Sequence, residues 1–258
     1  MSDELRRFAL GLLDETDAIV LRHLRGGLDV RTKADSTLVT QVDTEVETLI
    51  RERIRAAYPT HGVLGEEFGS DAGDGETRWI IDPIDGTNNL VRGIPVFGTL
   101  LAVERAGELA AAAISAPALS RRWHAARGAG ATVLDPVGER PIRVSAIDRL
   151  QEAQLLTSGL RPMEAAGYGQ AMERLRTVAW RDRGFGDFWS YMLVAEGAAD
   201  VTLEIGVRAW DLAAPALIVE EAGGRLTDFD GGSTYQGPQA LATNGLLHAA
   251  VIAELALR

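Results

Sequence analysis

The run Trp79-Ile80-Ile81-Asp82-Pro83-Ile84-Asp85-Gly86-Thr87-Asn88-Asn89 constrains this chain more than any other stretch. Arg78 to Ile81 reads as a short apolar strand, and an apolar run that stops at a carboxylate is how a buried strand arrives at a site. Pro83 bars helical geometry from Asp82 and holds it extended. Asp85 brings a second carboxylate, and Gly86 lets the backbone approach a ligand closely. Thr87 and Asn88 are good residues to begin a helix, whose free N–H groups would face an anion. Two acids beside backbone donors suit a divalent metal held against a phosphate. The plainer alternative is a polar strand-to-helix turn with two solvated aspartates, because short motifs often match by chance.

At 258 residues the chain can bury a sizeable core, as one large domain or two intimately packed halves. Its 46% hydrophobic and 24% charged residues are ordinary for a soluble globular protein. Against 26 basic residues stand 37 acidic ones, a net charge of −11 that disfavours nucleic acid as a partner. That charge also opposes an anionic substrate unless metal ions reverse the local field. The lack of cysteine excludes disulfides and thiolate metal sites and makes a reducing compartment the simplest setting. Met1-Ser2-Asp3-Glu4-Leu5 is acidic and then amphipathic, unlike a signal peptide, and no run approaches the ~18 apolar residues of a membrane span. The expectation is a soluble cytoplasmic protein without a membrane partner.

Leu5 to about Leu24 carries Phe8, Leu12 and Ile19 on the stripe of an amphipathic helix, which Gly26-Gly27 ends. Val30 to Lys33 reads as extended, followed by a polar turn at Ala34-Asp35-Ser36-Thr37. Thr40 caps a second helix with Val42, Val46, Leu49, Ile50 and Ile54 inward, stopped by Tyr58-Pro59. Asp43 falls in its first turn, where an acid often only complements the helix dipole. Val63-Leu64-Gly65 leads into Glu66-Glu67 and a Gly/Asp-rich loop over 69–75. Phe97 to Val103, Leu109 to Ala116 and Arg121 to Ala126 predict an antiparallel meander, with a helix competing for the alanine-rich second run. Pro136 to Pro141 is expected as a loop and Ile142 to Val144 as a strand.

The softest internal boundary falls at Ser145. It gives a mostly antiparallel half over residues 1–145 and an alternating half over 146–258, expected to form one structural unit. The second half predicts strands at Leu155 to Ser158 and Thr177 to Trp180 around a helix from Glu164 to Leu175. A helix over Phe188 to Glu196, a strand over Val201 to Leu203 and a helix over Asp211 to Ala222 follow. Strands near Arg225 and Ala240 and a helix through Ala250 complete it. Such alternation argues for sheet layers covered by helices.

Trp210-Asp211 opens an apolar, small-residue helix that Gly223-Gly224 ends. Asp211 can be an N-terminal cap and nothing more. The helix is so apolar, however, that its start belongs near the core, where an acid needs a partner. Glu66, Asp82 and Asp85 supply further oxygen donors, and hard oxygen donors without Cys or clustered His favour magnesium over zinc. His23, His61, His124 and His248 are scattered outside these motifs and read as structural or surface residues.

Gly65-Glu66-Glu67, Asp82-Pro83-Ile84-Asp85-Gly86-Thr87 and Trp210-Asp211 through Gly223-Gly224, in that order, resemble the magnesium-dependent inositol monophosphatase family of small-molecule phosphatases. Lys33, Leu38-Val39-Thr40 and Asp43 also stand where that family places them. The resemblance implies an α+β fold of alternating helix and sheet layers, the sandwich of inositol and sugar phosphatases, usually as a homodimer. It implies one Mg²⁺ on Glu66, Asp82 and the Ile84 carbonyl, a second on Asp82, Asp85 and Asp211, and a weaker third ion near Glu66 and Asp43. In family terms Thr87 relays the proton of the attacking water with Asp43 as its partner, and Glu66 belongs with them to the catalytic set. Asp85, Gly86, Thr87, Arg183, Gly186, Asp187, Phe188, Glu204 and Asp211 are the substrate-facing positions that it implies.

Arg183 to Asp187 followed by Phe188-Trp189-Ser190-Tyr191 and Ala195-Glu196-Gly197, with Thr243-Asn244-Gly245-Leu246-Leu247-His248, look most like the histidinol-phosphate phosphatases of this family. Histidinol carries an ammonium and an imidazole, and carboxylates at Asp187 and Glu204 would suit a cationic leaving group. In an inositol phosphatase Glu204 would instead accept hydroxyl hydrogens. A surface cation is the plainer reading of Arg183, and core filling that of Phe185, Phe188 and Trp189. The expected activity is therefore Mg²⁺-dependent hydrolysis of histidinol phosphate, with inositol 1-phosphate or a broad range of sugar phosphates as the alternative. A catalytically silent, metal-binding regulatory domain on the same fold is the competing class.

Overall fold

The computed structural model describes residues 1–33 and 38–257. The polar turn expected at Ala34–Thr37 lies outside them. The chain divides into two compact units, Met1–Arg140 and Pro141–Arg258.

In the first unit α1 (Ser2–Gly26), β1 (Val30–Thr32), β2 (Leu38–Thr40) and α2 (Gln41–Ala57) come first. Then follow β3 (Gly62–Gly65), β4 (Gly69–Asp71), β5 (Thr77–Asp85), α3 (Thr87–Arg92), β6 (Gly98–Arg105), β7 (Glu108–Ala116), β8 (Arg121–Ala126), β9 (Ala131–Asp135) and β10 (Gly138–Ile142). Acids at Asp3 and Glu4 begin α1, where they oppose the helix dipole, and Gly27 at φ 95° ends it. Its buried stripe of Leu5, Leu12, Leu13, Ile19 and Val20 joins Val42, Val46, Ile50 and Ile54 of α2 and Trp79, Ile81 and Leu101 of the sheet in one core. Each such side chain taken out of water contributes ~1.5–3 kcal/mol.

Among the described residues the large sheet runs β10-β9-β8-β7-β6-β5-β3-β4. Its β3–β5 pair is parallel, and β3–β4, β5–β6, β6–β7, β7–β8 and β8–β9 pair antiparallel. The alanine-rich run is a strand, not a helix, because β6 and β8 both pair with it and that pairing overrides alanine's helical preference. Three expectations need correction here. A short strand, β4, sits inside the loop expected over 69–75. The loop expected over Pro136 to Pro141 is a hairpin whose second strand is β10, so the strand lies earlier than Ile142 to Val144. Pro141 fits there because β10 is an edge strand, where a missing N–H costs no ladder bond.

The second unit contains β11 (Gln154–Thr157), α4 (Leu160–Ala165), α5 (Gly169–Val178), β12 (Arg181–Arg183) and α6 (Asp187–Ala195). After them come β13 (Val201–Ile205), α7 (Ala209–Glu221), β14 (Arg225–Thr227), β15 (Gln239–Thr243) and α8 (His248–Ala256). Its sheet runs β12-β11-β13-β15-β14, parallel on either side of β11 and antiparallel around β15. The helix expected from Glu164 to Leu175 is two helices, because Gly167 at φ 87° turns the chain between them. The strand expected at Thr177 to Trp180 begins at Arg181 instead: α5 continues to Val178, carrying Ala171, Met172 and Leu175 inward. Both units are layered helix on mixed sheet, an α+β architecture. No described helix is long and apolar enough to cross a membrane.

Candidate active site

In the first unit β5 does not stop at Asp82 but continues through Pro83 to Asp85. Asp82 pairs with Leu100 and Asp85 with Gly98, so β5 spends three residue steps where β6 spends two. This is a β-bulge. In a regular strand, residues three apart would face opposite sides; the extra residue cancels that inversion. Asp82 and Asp85 thereby bring carboxylate oxygens within 4.8 Å of each other. Thr99 Oγ1 donates to the Pro83 carbonyl at 2.9 Å and pins the irregularity. Both acids are buried, Asp82 at 1% exposure and Asp85 at 9%.

Gly86 then turns at φ 79° into α3, and a Cβ there would lie 2.8 Å from the Val96 carbonyl oxygen. The helix begins at Thr87 as the sequence predicts. The Thr87 hydroxyl faces two acceptors, Asp43 Oδ1 at 3.0 Å and the Ile84 carbonyl at 2.9 Å. Asp43 does cap α2, taking the Thr40 N–H at 2.8 Å and the Thr40 hydroxyl at 2.6 Å on Oδ2. Its other oxygen is the one that meets Thr87, so capping and the site are served by the same carboxylate. Burial raises the pKa of Asp43, against the pull of the Thr40 and Thr87 donors.

Glu66 and Glu67 follow β3, and both meet Lys33, whose Nζ lies 2.8 Å and 2.6 Å from them. Burial raises the Glu66 carboxyl, Lys33 opposes it, and the charges of Asp43 and Glu47 add to the rise. Burial disfavours the charge of Lys33, yet its two glutamate partners hold its pKa above the ordinary value. Asp43, Glu47, Asp82 and Asp85 are thus carboxylates at 9% exposure or less within one unit. Such a concentration of buried negative charge is costly without counter-charge. An all-oxygen donor set of this kind fits a hard divalent cation.

The second unit carries the other predicted residues. Asp211 is the third residue of α7, and its Oδ2 accepts the Arg208 N–H at 2.6 Å in a capping box. Asp187 opens α6 in the left-handed region at φ 55°, a conformation that is uncommon for a residue with a side chain. Gly186 before it packs on Ser158, where a Cβ would come within 2.9 Å of that residue's Cβ. Glu204 on β13 accepts from the Tyr191 hydroxyl at 2.8 Å. Burial pushes Glu204 up to about 7; the Tyr191 hydrogen bond works against this, and the charges of Asp187 and Asp211 with it. Arg183 is exposed at the end of the edge strand β12 and donates to the Asp182 carbonyl at 2.6 Å. Phe188 is 1% exposed. Phe185 lies 5.0 Å from Trp189 with the rings tilted at 47°, and packs on the small core of Leu156, Val194 and Ala199, which makes that pair a packing feature.

Two side chains that bond to the candidate site segments are not among the site residues expected from the sequence. Glu47 lies one helical turn beyond Asp43, and its signal was an acid beside the apolar stripe of α2. Tyr191 lies one turn beyond Asp187 on α6, inside the stretch that carries the resemblance, but without a role of its own there. The histidines are elsewhere: His23 bonds Glu45 at 2.7 Å, His61 accepts from Trp79 Nε1 at 3.1 Å, and His124 contacts Arg6 at 2.9 Å.

The model of the inositol monophosphatase family matches residues 1–257. A histidinol-phosphatase of Mycobacterium tuberculosis is 46% identical over 99% of this chain and 99% of its own length. A histidinol-phosphatase of Streptomyces coelicolor is 42% identical over 95% of this chain and 94% of its own. The crystal structure of the extragenic suppressor protein suhB from Bartonella henselae superposes with a TM-score of 0.89 at 29% identity, covering 98% of each chain. Family members are metal-dependent, in keeping with the buried acids around Asp82. The chain belongs to the inositol monophosphatase family, whose members are phosphoric monoester hydrolases.

Proposed function

We propose that this protein hydrolyses L-histidinol phosphate to L-histidinol and phosphate, as a step of histidine biosynthesis, using two or three Mg²⁺ ions. The observation that carries the choice of substrate is Glu204, a half-buried carboxylate held by Tyr191 and in electrostatic reach of Asp187. Carboxylates so arranged suit an ammonium or imidazolium leaving group. The names of the two bacterial relatives agree with that reading.

In this proposal Glu66, Asp82 and the Ile84 carbonyl would hold one ion, and Asp82, Asp85 and Asp211 would hold another. Glu66 and Asp43 lie near the third. Bound Mg²⁺ supplies a lowered pKa for its water and charge stabilisation for the departing alkoxide. The protein's own groups do the rest. Thr87 and Asp43 orient the water and take up its proton, and the N–H groups of Gly86 and Thr87 hold phosphate oxygens. Gly186 and Phe188 shape the substrate pocket, Arg183 borders it, and Asp187 and Glu204 bind the cationic portion. The enzyme works in the cytoplasm as a homodimer, without nucleic-acid or membrane partners.

An inositol 1-phosphatase is the second reading. It is favoured by the same Glu204, because a carboxyl with a pKa of about 7 is partly protonated near neutrality and suits hydroxyl groups. Turnover of histidinol phosphate and inositol 1-phosphate under equal conditions separates the two. The proposal expects histidinol phosphate to be preferred by at least ~10²-fold in kcat/KM, with the preference shrinking in Glu204→Gln. Comparable rates on the two esters would defeat the narrow assignment.

A further inference from the structure

We infer that Glu47 is the positioning residue that sets Glu66 for cation binding, a role that rests on the metal-dependent reading above. Glu47 is at 0% exposure on α2, yet it takes no part in capping that helix. Its carboxylate is spent on the backbone just beyond Glu66. Oε2 accepts the Glu67 N–H at 2.8 Å, and Oε1 accepts the Phe68 N–H at 3.2 Å. Oε1 also accepts from Arg51 Nε at 2.8 Å. Arg51 in turn donates to the Gly69 carbonyl and lies 6.0 Å above the Phe68 ring. On the other side the Glu66 N–H donates to the Ile81 carbonyl of β5 at 3.3 Å. The turn over 66–68 is therefore fixed at three consecutive amides, one on the strand that carries Asp82 and two on Glu47.

The neighbouring backbone is shaped for this contact. A Cβ on Gly65 would stand 2.0 Å from Glu47 Oε1, so the carboxylate occupies the space that any other residue's side chain would fill. A carboxylate offers one oxygen to each of the two amides, which a neutral amide side chain cannot do. Groups that orient a metal ligand typically change affinity 10–100-fold when removed.

The test is Mg²⁺ titration of the full-length protein by calorimetry, without substrate, beside the Mg²⁺ midpoint for activity and kcat at saturating Mg²⁺. Glu47→Gln leaves one oxygen for two amides and removes the charge. The expected result is an Mg²⁺ midpoint raised ~10-fold or more in both measurements, with faster amide exchange at Glu67 and Phe68. Gly65→Ala leaves Glu47 in the chain but pushes its carboxylate aside, and is expected to shift the midpoint the same way. Should Glu47→Gln fail to fold, Arg51→Gln, which releases Glu47 from its side-chain partner, is expected to raise the midpoint by a smaller factor. An unchanged midpoint in the folded variants overturns the inference even if their melting temperatures fall, since that is all a structural role predicts. A wild-type protein that binds no Mg²⁺ overturns the inference and the metal-dependent reading together.

Discussion

Thr87 Oγ1 lies 3.0 Å from Asp43 Oδ1, tying the first residue of α3 to the N-terminal turn of α2 across 44 positions of sequence. The hydroxyl also lies 2.9 Å from the Ile84 carbonyl, so one proton serves two acceptors. Removing the hydroxyl would delete the proposed proton relay without touching the helix cap. Thr87→Val is expected to lower kcat by ~10²-fold or more while costing ~1 kcal/mol of stability, and Thr87→Ser is expected to keep most of the activity. Steady-state kinetics at saturating Mg²⁺ with thermal melts of both variants check this. Asp43→Asn disturbs cap and relay at once and is the less informative change.

Buried carboxylates around Asp82 repel one another until a cation arrives. Asp82→Asn is expected to reduce activity below about one hundredth of wild type, beyond the loss typical of indirect metal partners. In EDTA the same variant is expected to melt no lower than wild type, because one like charge has been removed. Wild type is expected to gain ~2.7 kcal/mol when Mg²⁺ is present at a hundredfold excess over its Kd. Melting curves with EDTA and with Mg²⁺ read both quantities. A variant that keeps full activity would remove the metal mechanism.

Glu204 is held protonated up to about 7, chiefly by burial, against an ordinary glutamic acid at 4.5. A folded-state pKa above the unfolded one stabilises the fold below 4.5, and that stabilisation is lost as pH rises toward 7. At pH 8, Glu204→Gln is therefore expected to be more stable than wild type, by on the order of 1–3 kcal/mol. For a cationic leaving group the KM of wild type should fall as pH rises through 7 relative to Glu204→Gln, because only the ionised form attracts the cation. Urea melts at pH 5 and 8, with KM profiles of both proteins, test the two halves of this claim.

His248 is buried between Thr227 Oγ1, 2.9 Å from Nε2, and Thr243 Oγ1, 3.0 Å from Nδ1. Thr227 gives its proton to the Asp228 carbonyl at 2.6 Å, so it accepts from Nε2, and Thr243 donates to a bare Nδ1. That arrangement fits the neutral ring. Burial, with the charge of Arg225 added, holds its pKa down at about 4 instead of 6.5. The unfolded chain takes up a proton first, so stability declines as pH falls from 6.5 to 4, by on the order of 1–3 kcal/mol in all. Melts over that range are expected to show a shallower decline for His248→Gln, measured as the difference from wild type at each pH.

Legibility in the sequence followed how local the cause was. Thr40, Asp43 and the stop at Tyr58 declare α2 through capping chemistry alone, and the observed helix keeps those limits. Asp82, Pro83 and Asp85 announce an acidic strand end, but the bulge that turns both acids to one side comes from register against β6. Pro83 hints at an irregularity in an interior strand, but the partner positions that set the register lie outside residues 79–89. The same holds for β10, whose Pro141 argues against a strand until its position at the sheet edge is known. Glu47 was silent for another reason: an acid on a helix ordinarily signals solvent, and its partners are backbone amides that have no sequence signature.

The placement of β5 between β3 and β6 has an evolutionary corollary. A residue inserted before Asp82 would slip the ladder on both flanks and reverse every side chain downstream, so the hydrolytic machinery tolerates few length changes. The 183–187 segment leaves a three-residue ladder at a sheet edge, so a length change there slips at most one ladder. If 183–187 contacts the leaving group as proposed, new substrates are most accessible to descendants of this chain by remodelling that border, with the chemistry inherited intact.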